Sequence, residues 1–291
     1  MASWTLGILG GSGLYDMEGL QDRRVEQVET PWGSPSAPLT RGRIGDVDLV
    51  FLPRHGAGHV LTPSAVNYRA NIDALKRAGC TDILSVSAVG SLREDYAPGD
   101  FVLVDQFIDR TFAREKTFFG PGCVAHVSMA EPVCHRLAKL AADAAAQAGA
   151  KVHVGGTYLC MEGPQFSSKA ESHMYRAWGC DVIGMTNAPE AKLAREAELP
   201  YATVAMVTDY DCWRDDGTPV SVEAVLEVLK SNSKTARRML VGLAETLSQV
   251  ERTDSPQGIE HSLDYAVITA PDARDPALLA KLDAVAGRVL G

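Results

Sequence analysis

The feature that most constrains this chain is an alternation. Short aliphatic and β-branched runs recur between helix-forming stretches, and most of the runs end in glycine, a hydroxyl residue or a charged residue. Runs at 5–9, 47–52, 83–89, 101–104, 152–161, 181–185 and 201–207 read as strands. Helical patterns fall at 63–78, 131–148, 168–178, 190–198 and 221–249, the last with a break near 231–233. Gly79, Gly90 and the Pro98-Gly99 pair supply stops where the periodicity changes. Strands that alternate with helices predict an α/β fold, a central sheet flanked by helices. Beyond a polar link at 253–258, one more strand and a short helix at 276–290 are expected. No repeat or low-complexity tract interrupts the first 250 residues. The chain therefore reads as a single domain, 1–250, with a C-terminal segment, 251–291, docked on that domain or on a neighbouring subunit.

Charge narrows the function. The 291 residues carry a formal net charge of −9, with both signs scattered. A nucleic-acid partner would need a basic stripe to neutralise phosphates, and none is present. A small anion remains possible, because one arginine and a few backbone N–H groups suffice to hold it. The six cysteines are dispersed, without a CxxC pair or zinc-finger spacing, so reduced and mostly buried thiols are expected and no metal site. The stretch MASWTLGILGGSG lacks the basic region of a signal peptide, and no apolar run approaches a membrane span. The expectation is a soluble, cytoplasmic protein with no membrane partner.

Chemistry is concentrated at the strand ends, where ligands of α/β sheets bind. Gly10-Gly11-Ser12-Gly13 lets backbone approach a ligand and adds a hydroxyl. It is neither a dinucleotide fingerprint, since Asp16 stands where the third glycine belongs, nor a P-loop. Read alone, it serves equally as a turn. Arg54-His55-Gly56-Ala57-Gly58-His59 places a guanidinium fork beside an imidazole in an open loop. Ser87-Ala88-Val89-Gly90-Ser91 and Gly184-Met185-Thr186-Asn187 end two further strands with hydroxyls and small residues.

Thr208-Asp209-Tyr210-Asp211-Cys212-Trp213 is the most specific of these features. In an extended segment its two carboxylates would point to one side and reach one ligand. They can accept from an exocyclic amino group, and a protonated one can donate to a ring nitrogen. A solvated turn or a helix cap is the alternative reading. Glu162-Gly163-Pro164-Gln165-Phe166 could hold and cover a planar base, although an isolated phenylalanine more often fills a core.

Together these stretches resemble the trimeric purine nucleoside phosphorylase family and, within it, the methylthioadenosine phosphorylases. The matching motifs are ILGGSGLYD, RHGAGHVLTPSAVNYRANIDALK, SAVGSLRE, GDFVLVDQFIDRT, MEGPQFSSKAES, DVIGMTNAPEAKLARE and MVTDYDCW, in family order over residues 5–230. The resemblance implies a mixed-sheet phosphorylase fold, a homotrimer, and no cofactor beyond inorganic phosphate as co-substrate. It implies a phosphate site of Ser12, Arg54, His55, Ser87, Ala88 and Thr186. Ser12 and Ser87 stand where the human-type enzyme has threonine, a change that keeps the hydroxyl. Met185 would lie against the ribose and Phe166 on the base, with Ser167 and Val222 setting specificity. Asp209 and Asp211 would hold the purine edge and act catalytically. The 5′ group would meet Val222, Val225, Leu226 and a neighbouring subunit's His126.

The implied reaction is phosphorolysis of methylthioadenosine to adenine and 5-methylthioribose 1-phosphate, a step of purine and methionine salvage. A phosphorylase for 6-oxopurine nucleosides is the nearest alternative. It should present a donor such as asparagine in place of Asp209, because two facing acceptors repel. A nucleoside hydrolase would not need so many anion-binding groups, and a non-catalytic binding module would not need both a nucleophile site and a leaving-group site.

Overall fold

A computed structural model describes residues 3–11, 14, 17–214 and 222–291, without the side chains of residues 222 and 224. In chain order its strands and helices are β1 (Thr5–Gly10), β2 (Gln21–Glu26), β3 (Leu39–Ile44), β4 (Val47–Pro53), α1 (Tyr68–Arg77), β5 (Asp82–Ser91), β6 (Phe101–Leu103) and β7 (Gln106–Asp109). There follow α2 (His135–Gln147), β8 (Val152–Val154), β9 (Thr157–Cys160), α3 (Lys169–Ala177), β10 (Val182–Gly184), α4 (Asn187–Glu196), β11 (Tyr201–Asp209), α5 (Val222–Leu247), α6 (Pro276–Lys281) and α7 (Asp283–Leu290).

All strands join one mixed sheet. Alternate residues of the central strands feed two cores, as a pleat with period two requires. Leu6, Ile8, Phe51, Leu84, Val86, Val204 and Met206 pack with α2 and α5 on one face. Leu9, Val50, Leu52, Ile83 and Tyr201 pack with α1 and α4 on the other. The result is helix, sheet, helix.

The pairing around β5 creates the opening that matters. On one edge β11 runs parallel to β5 from Ile83 to Gly90. On the other edge β1 accompanies β5 only over Asp82–Ser85. There β10 pairs with it, antiparallel, only at Gly90 and Ser91. Residues 86–89 thus have no strand partner on that edge among the described residues, and their backbone there is open to a ligand. Ala88 is exposed and Gly90 half-buried within a strand that is buried everywhere else. The ends of β1, β4 and β11 come up beside this notch because all three run parallel to β5, directly or through β1.

Several expectations change. The run 152–161 is two strands, because Gly155 and Gly156 take φ of 86° and 136° and send β8 to β6 but β9 to β7 and β10. The helix expected from residue 63 begins at Tyr68, after a short 3-10 turn at Pro63–Ala65. α5 runs without a break through 231–233, where Asn232 is buried and donates to the Val207 carbonyl at 2.9 Å. No strand forms after residue 250; a single bridge, Ala125 to Val267, stands in its place. β2, β3 and β7 were not expected from the sequence, since their polar and arginine-rich patterns resemble loops.

Residues 251–291 share the cores of the preceding chain. Ile259 enters one, and Leu263, Ala266, Leu282, Val285 and Ala286 enter the other. Arg252 bonds Asp82 at 2.6 Å, and Arg288 bonds Glu198 at 2.7 Å.

Candidate active site

Arg54 follows β4, and its backbone N–H donates to the Gly10 carbonyl at 3.0 Å, locking the ends of β4 and β1 together. Its guanidinium is buried and braced. Nε pairs with Glu190 of α4, Nη2 donates to Glu190 Oε2 at 3.1 Å and to Ser85 Oγ at 2.6 Å, and Nη1 makes only a 3.5 Å contact with the Val86 carbonyl. Tyr201 and Ser85 hydroxyls also donate to Glu190 Oε2. A buried charge needs this degree of pairing. The pair is neutral as a whole, so Nη1 offers a directed donor without an uncompensated cation.

His55 is held by a 2.9 Å contact between Nδ1 and the Leu61 carbonyl and stacks on His59 at 4.3 Å. A carbonyl can only accept, so Nδ1 carries the proton and Nε2 of the neutral ring is an acceptor. Burial, then the Arg54 charge, push its pKa down to about 4. Ser87 and Ala88 lie in the β5 notch. β10 pairs with β5 only as far as Ile183 opposite Gly90, and Gly184, Met185 and Thr186 follow directly on from that pairing. Thr186 is buried at the N-cap position of α4 without a capping hydrogen bond, its hydroxyl donating instead to Asn187 Oδ1 at 3.0 Å, and the helix dipole favours an anion there.

The other end of the notch is acidic. Asp209 pairs with Gly90 across a register shift in β11. A Cβ at Gly90 would lie 3.1 Å from Asp209 Oδ1 and 3.4 Å from Asp211 Cβ, so both acids crowd against this glycine. The segment is not extended. Asp209 Oδ1 accepts the Asp211 N–H at 2.7 Å and Asp211 takes φ of 52°, a side-chain-closed turn. Two carboxylates reach one place through a turn rather than through strand alternation. Asp209 Oδ2 accepts from Thr208 Oγ1 at 2.7 Å. Asp211 Oδ2 is buried and completes no hydrogen bond. Burial raises both pKa values; Thr208 opposes it most at Asp209, and Ser172 most at Asp211. Among the described residues no arginine or lysine forms an ion pair with either acid.

Ser167 joins the acidic end through its carbonyl, which lies 3.2 Å from Cys212 Sγ. Phe166 is 55% exposed, with its ring outside the core. Val225 is half-buried, seven residues from Asn232 and so on the same face of α5, which meets the end of β11. Leu226 beside it is exposed. His126 lies away from these groups in sequence and bonding, its N–H donating to Ala266 at 2.9 Å. Ser12 and the Val222 side chain lie outside the described residues. Glu162 does not face a base: its carboxylate accepts from Ser64, from the Phe112 N–H at 2.7 Å and from Arg114 at 3.3 Å.

Two residues essential to this arrangement escaped the sequence reading. Glu190, the brace of Arg54, reads in sequence as an ordinary helical glutamate; only its place in the first turn of α4 hinted at an anion-binding neighbourhood. Arg114 is buried and donates to the carbonyls of Met185 and Glu162, tying the segment after β10 to the 162–164 turn. It sits in an irregular stretch where no periodicity marks it. Among the described residues, no cluster of three or more His, Cys, Asp or Glu could hold a metal ion. No helix among them is long and apolar enough to cross a membrane.

Residues 5–245 match the family model described as the phosphorylase superfamily. An S-methyl-5'-thioadenosine phosphorylase of Cereibacter sphaeroides is 61% identical over 285 residues, covering 98% of each chain. A methylthioadenosine phosphorylase crystal structure from an antarctic soil metagenomic library superimposes with a TM-score of 0.91 at 45% identity, covering 98% of this chain and 99% of that one. The Schistosoma mansoni methylthioadenosine phosphorylase in complex with adenine gives a TM-score of 0.83 at 41% identity, over 89% of this chain and 96% of that one.

Proposed function

The chain belongs to the phosphorylase superfamily, and from that premise we propose that it splits S-methyl-5'-thioadenosine with inorganic phosphate into adenine and 5-methylthioribose 1-phosphate. The observation that carries this reading is one strand with two unlike ends. Beside β5 stand a braced arginine at Val86, the Ser87 hydroxyl and, at Gly90, two carboxylates that form no ion pair among the described residues. Three residues of strand span about 10 Å, which is room for one pentose between an anion and a base.

In this reading phosphate is held by Arg54 Nη1, the Ser87 hydroxyl, the Ala88 backbone, Thr186 and Ser12, while His55 Nε2 accepts from the phosphate's own P–OH. Because Arg54 and Glu190 neutralise each other, most of the hold comes from directed dipoles. The dianion keeps its charge for the ribosyl cation that forms as the glycosidic bond stretches. Phosphate then attacks C1′ from the opposite face. Asp209, raised by burial, donates a proton or hydrogen bond to N7 of the departing adenine. The unpartnered Asp211 Oδ2 accepts from the 6-amino group. That acceptor supports an adenine nucleoside over a 6-oxopurine one. Met185 lies along the sugar, Phe166 and Ser167 along the base, and Val222, Val225 and Leu226 along the methylthio group.

The exposed side chains Val60, Phe112 and Phe166 belong to segments bonded into the site, an arrangement that supports cover by a neighbouring copy. We place the second copy's His126 there, in a homotrimer. All six cysteines are free, which supports a reducing compartment, the cytoplasm. The products would then enter purine and methionine salvage.

A panel of methylthioadenosine, adenosine and inosine with phosphate, scored for free base, tests the substrate. Methylthioadenosine should lead in kcat/KM, with adenosine within about tenfold, since burying a methyl is worth about 1 kcal/mol. A higher value for inosine would overturn the assignment of the acidic end.

A further inference from the structure

The Tyr158 hydroxyl is fully buried and completes no hydrogen bond, an arrangement that is rare unless a ligand or a neighbouring group calls on it. β9 fixes its position: Tyr158 pairs with Val182 of β10, and its ring packs on Phe107 at a centroid distance of 5.7 Å. The phenol passes over Gly184, where any Cβ would collide with its oxygen. That is why glycine stands at the end of β10. Beyond Gly184 the hydroxyl lies beside the Ser87 side chain and the Thr186 backbone N–H, without ordinary hydrogen-bond geometry to either. Both neighbours belong to the anion end. Ser87 Oγ meanwhile makes only a 3.4 Å contact with the neighbouring Ala88 carbonyl.

We propose that Tyr158 is a positioning residue of the phosphate site, setting the direction of the Ser87 hydroxyl; this rests on the phosphorolysis reading above. Proton counting dictates the order. The Thr186 N–H can only donate, so it donates to Tyr158 Oη. The phenol has one proton, which goes to Ser87 Oγ. Ser87 is left with its own proton for a phosphate oxygen and no longer turns it toward the Ala88 carbonyl. Closing this chain on phosphate satisfies a hydroxyl that is otherwise buried without a partner.

Tyr158→Phe removes one oxygen and keeps the ring on Phe107. The expected result is a KM for phosphate raised about fivefold to tenfold, the equivalent of one neutral hydrogen bond. kcat at saturating phosphate and the nucleoside KM should stay within about twofold, and the melting temperature should not fall, because an unpaired buried polar atom has been removed. Ser87→Ala should raise the phosphate KM similarly. In that background Tyr158→Phe should add less than about twofold, since a residue acting through Ser87 has nothing left to direct. Additive effects in the double variant would overturn the proposal. So would an unchanged phosphate KM, or a parallel rise of both KM values with a fall in melting temperature. If the wild-type protein itself released no adenine in response to phosphate, the phosphorolysis reading would fail first, and this inference with it.

Discussion

The two ends of the β5 notch are built on opposite electrostatic plans. At the anion end every charge is answered: Arg54 meets Glu190, which in turn accepts from Ser85 and Tyr201. At the other end Asp209 and Asp211 are half-buried; Asp209 receives only the Thr208 hydroxyl and the Asp211 N–H, and Asp211 Oδ2 completes no hydrogen bond. Burial therefore has different consequences. A paired charge stays a fixed charge, and its neighbours hold it in place. An unpaired carboxylate is driven toward its neutral acid, which can donate. A phosphorolysis needs one of each: a site that holds an anion without changing protonation and a site that delivers a proton to a leaving base.

Removing the brace should break the comparison most severely. Glu190→Ala leaves the buried Arg54 without its partner and should destabilise the protein by about 3–5 kcal/mol, with phosphate saturation lost in whatever remains folded. Chemical denaturation and phosphate-dependent kinetics read the two effects. Asp209→Asn should leave stability nearly unchanged but lower kcat for methylthioadenosine on the order of 100-fold to 1000-fold, with inosine less affected. Full activity in that variant would remove the donor role from Asp209.

α4 carries its own control. Glu196 lies on the same helix as Glu190, is buried, and pairs with no cation among the described residues; it accepts from Phe118 N–H and Thr117 Oγ1, each at 2.7 Å. Burial pushes its pKa from 4.5 up to about 7. The folded pKa is the higher, so the unfolded chain loses its proton first as pH rises. Stability attached to the neutral acid is complete below pH 4.5 and is lost by about pH 7. Glu196→Gln should abolish that loss, gaining at most on the order of 3 kcal/mol over the wild type at pH 8 and nothing at pH 4. An equal gain at both pH values would show that burial alone does not set these acids. The mildest variant is Gly90→Ala, whose methyl meets Asp209 and Ile183 at 3.1 Å. It should raise the nucleoside KM about tenfold while the phosphate KM moves less than about twofold.

Much of this was legible before any coordinates. The strand-end clusters at Arg54, Ser87, Thr186 and Asp209 stood out because glycine, hydroxyl and charged residues interrupt apolar runs there; the fold sets β4, β5 and β11 in parallel and brings β10 in antiparallel at the end of β5. The Asp pair was recognised for the wrong local reason, since a turn closed by Asp209 itself replaces the extended segment. Glu190, Arg114 and Tyr158 were silent because their roles depend on partners 136, 71 and 71 residues away. Their own neighbours in sequence give an ordinary helix, loop and strand. Local pattern marks where a ligand binds; it does not mark the residues that hold the binding groups still.

The central claim is that the anion end supplies a nucleophile rather than a mere counter-ion site. The direct measurement is adenine release from methylthioadenosine as phosphate is raised from none, with the sugar product identified by mass. The rate should rise hyperbolically from near zero, with one 5-methylthioribose 1-phosphate formed per adenine. Adenine released at full rate without phosphate, leaving free 5-methylthioribose, would contradict it.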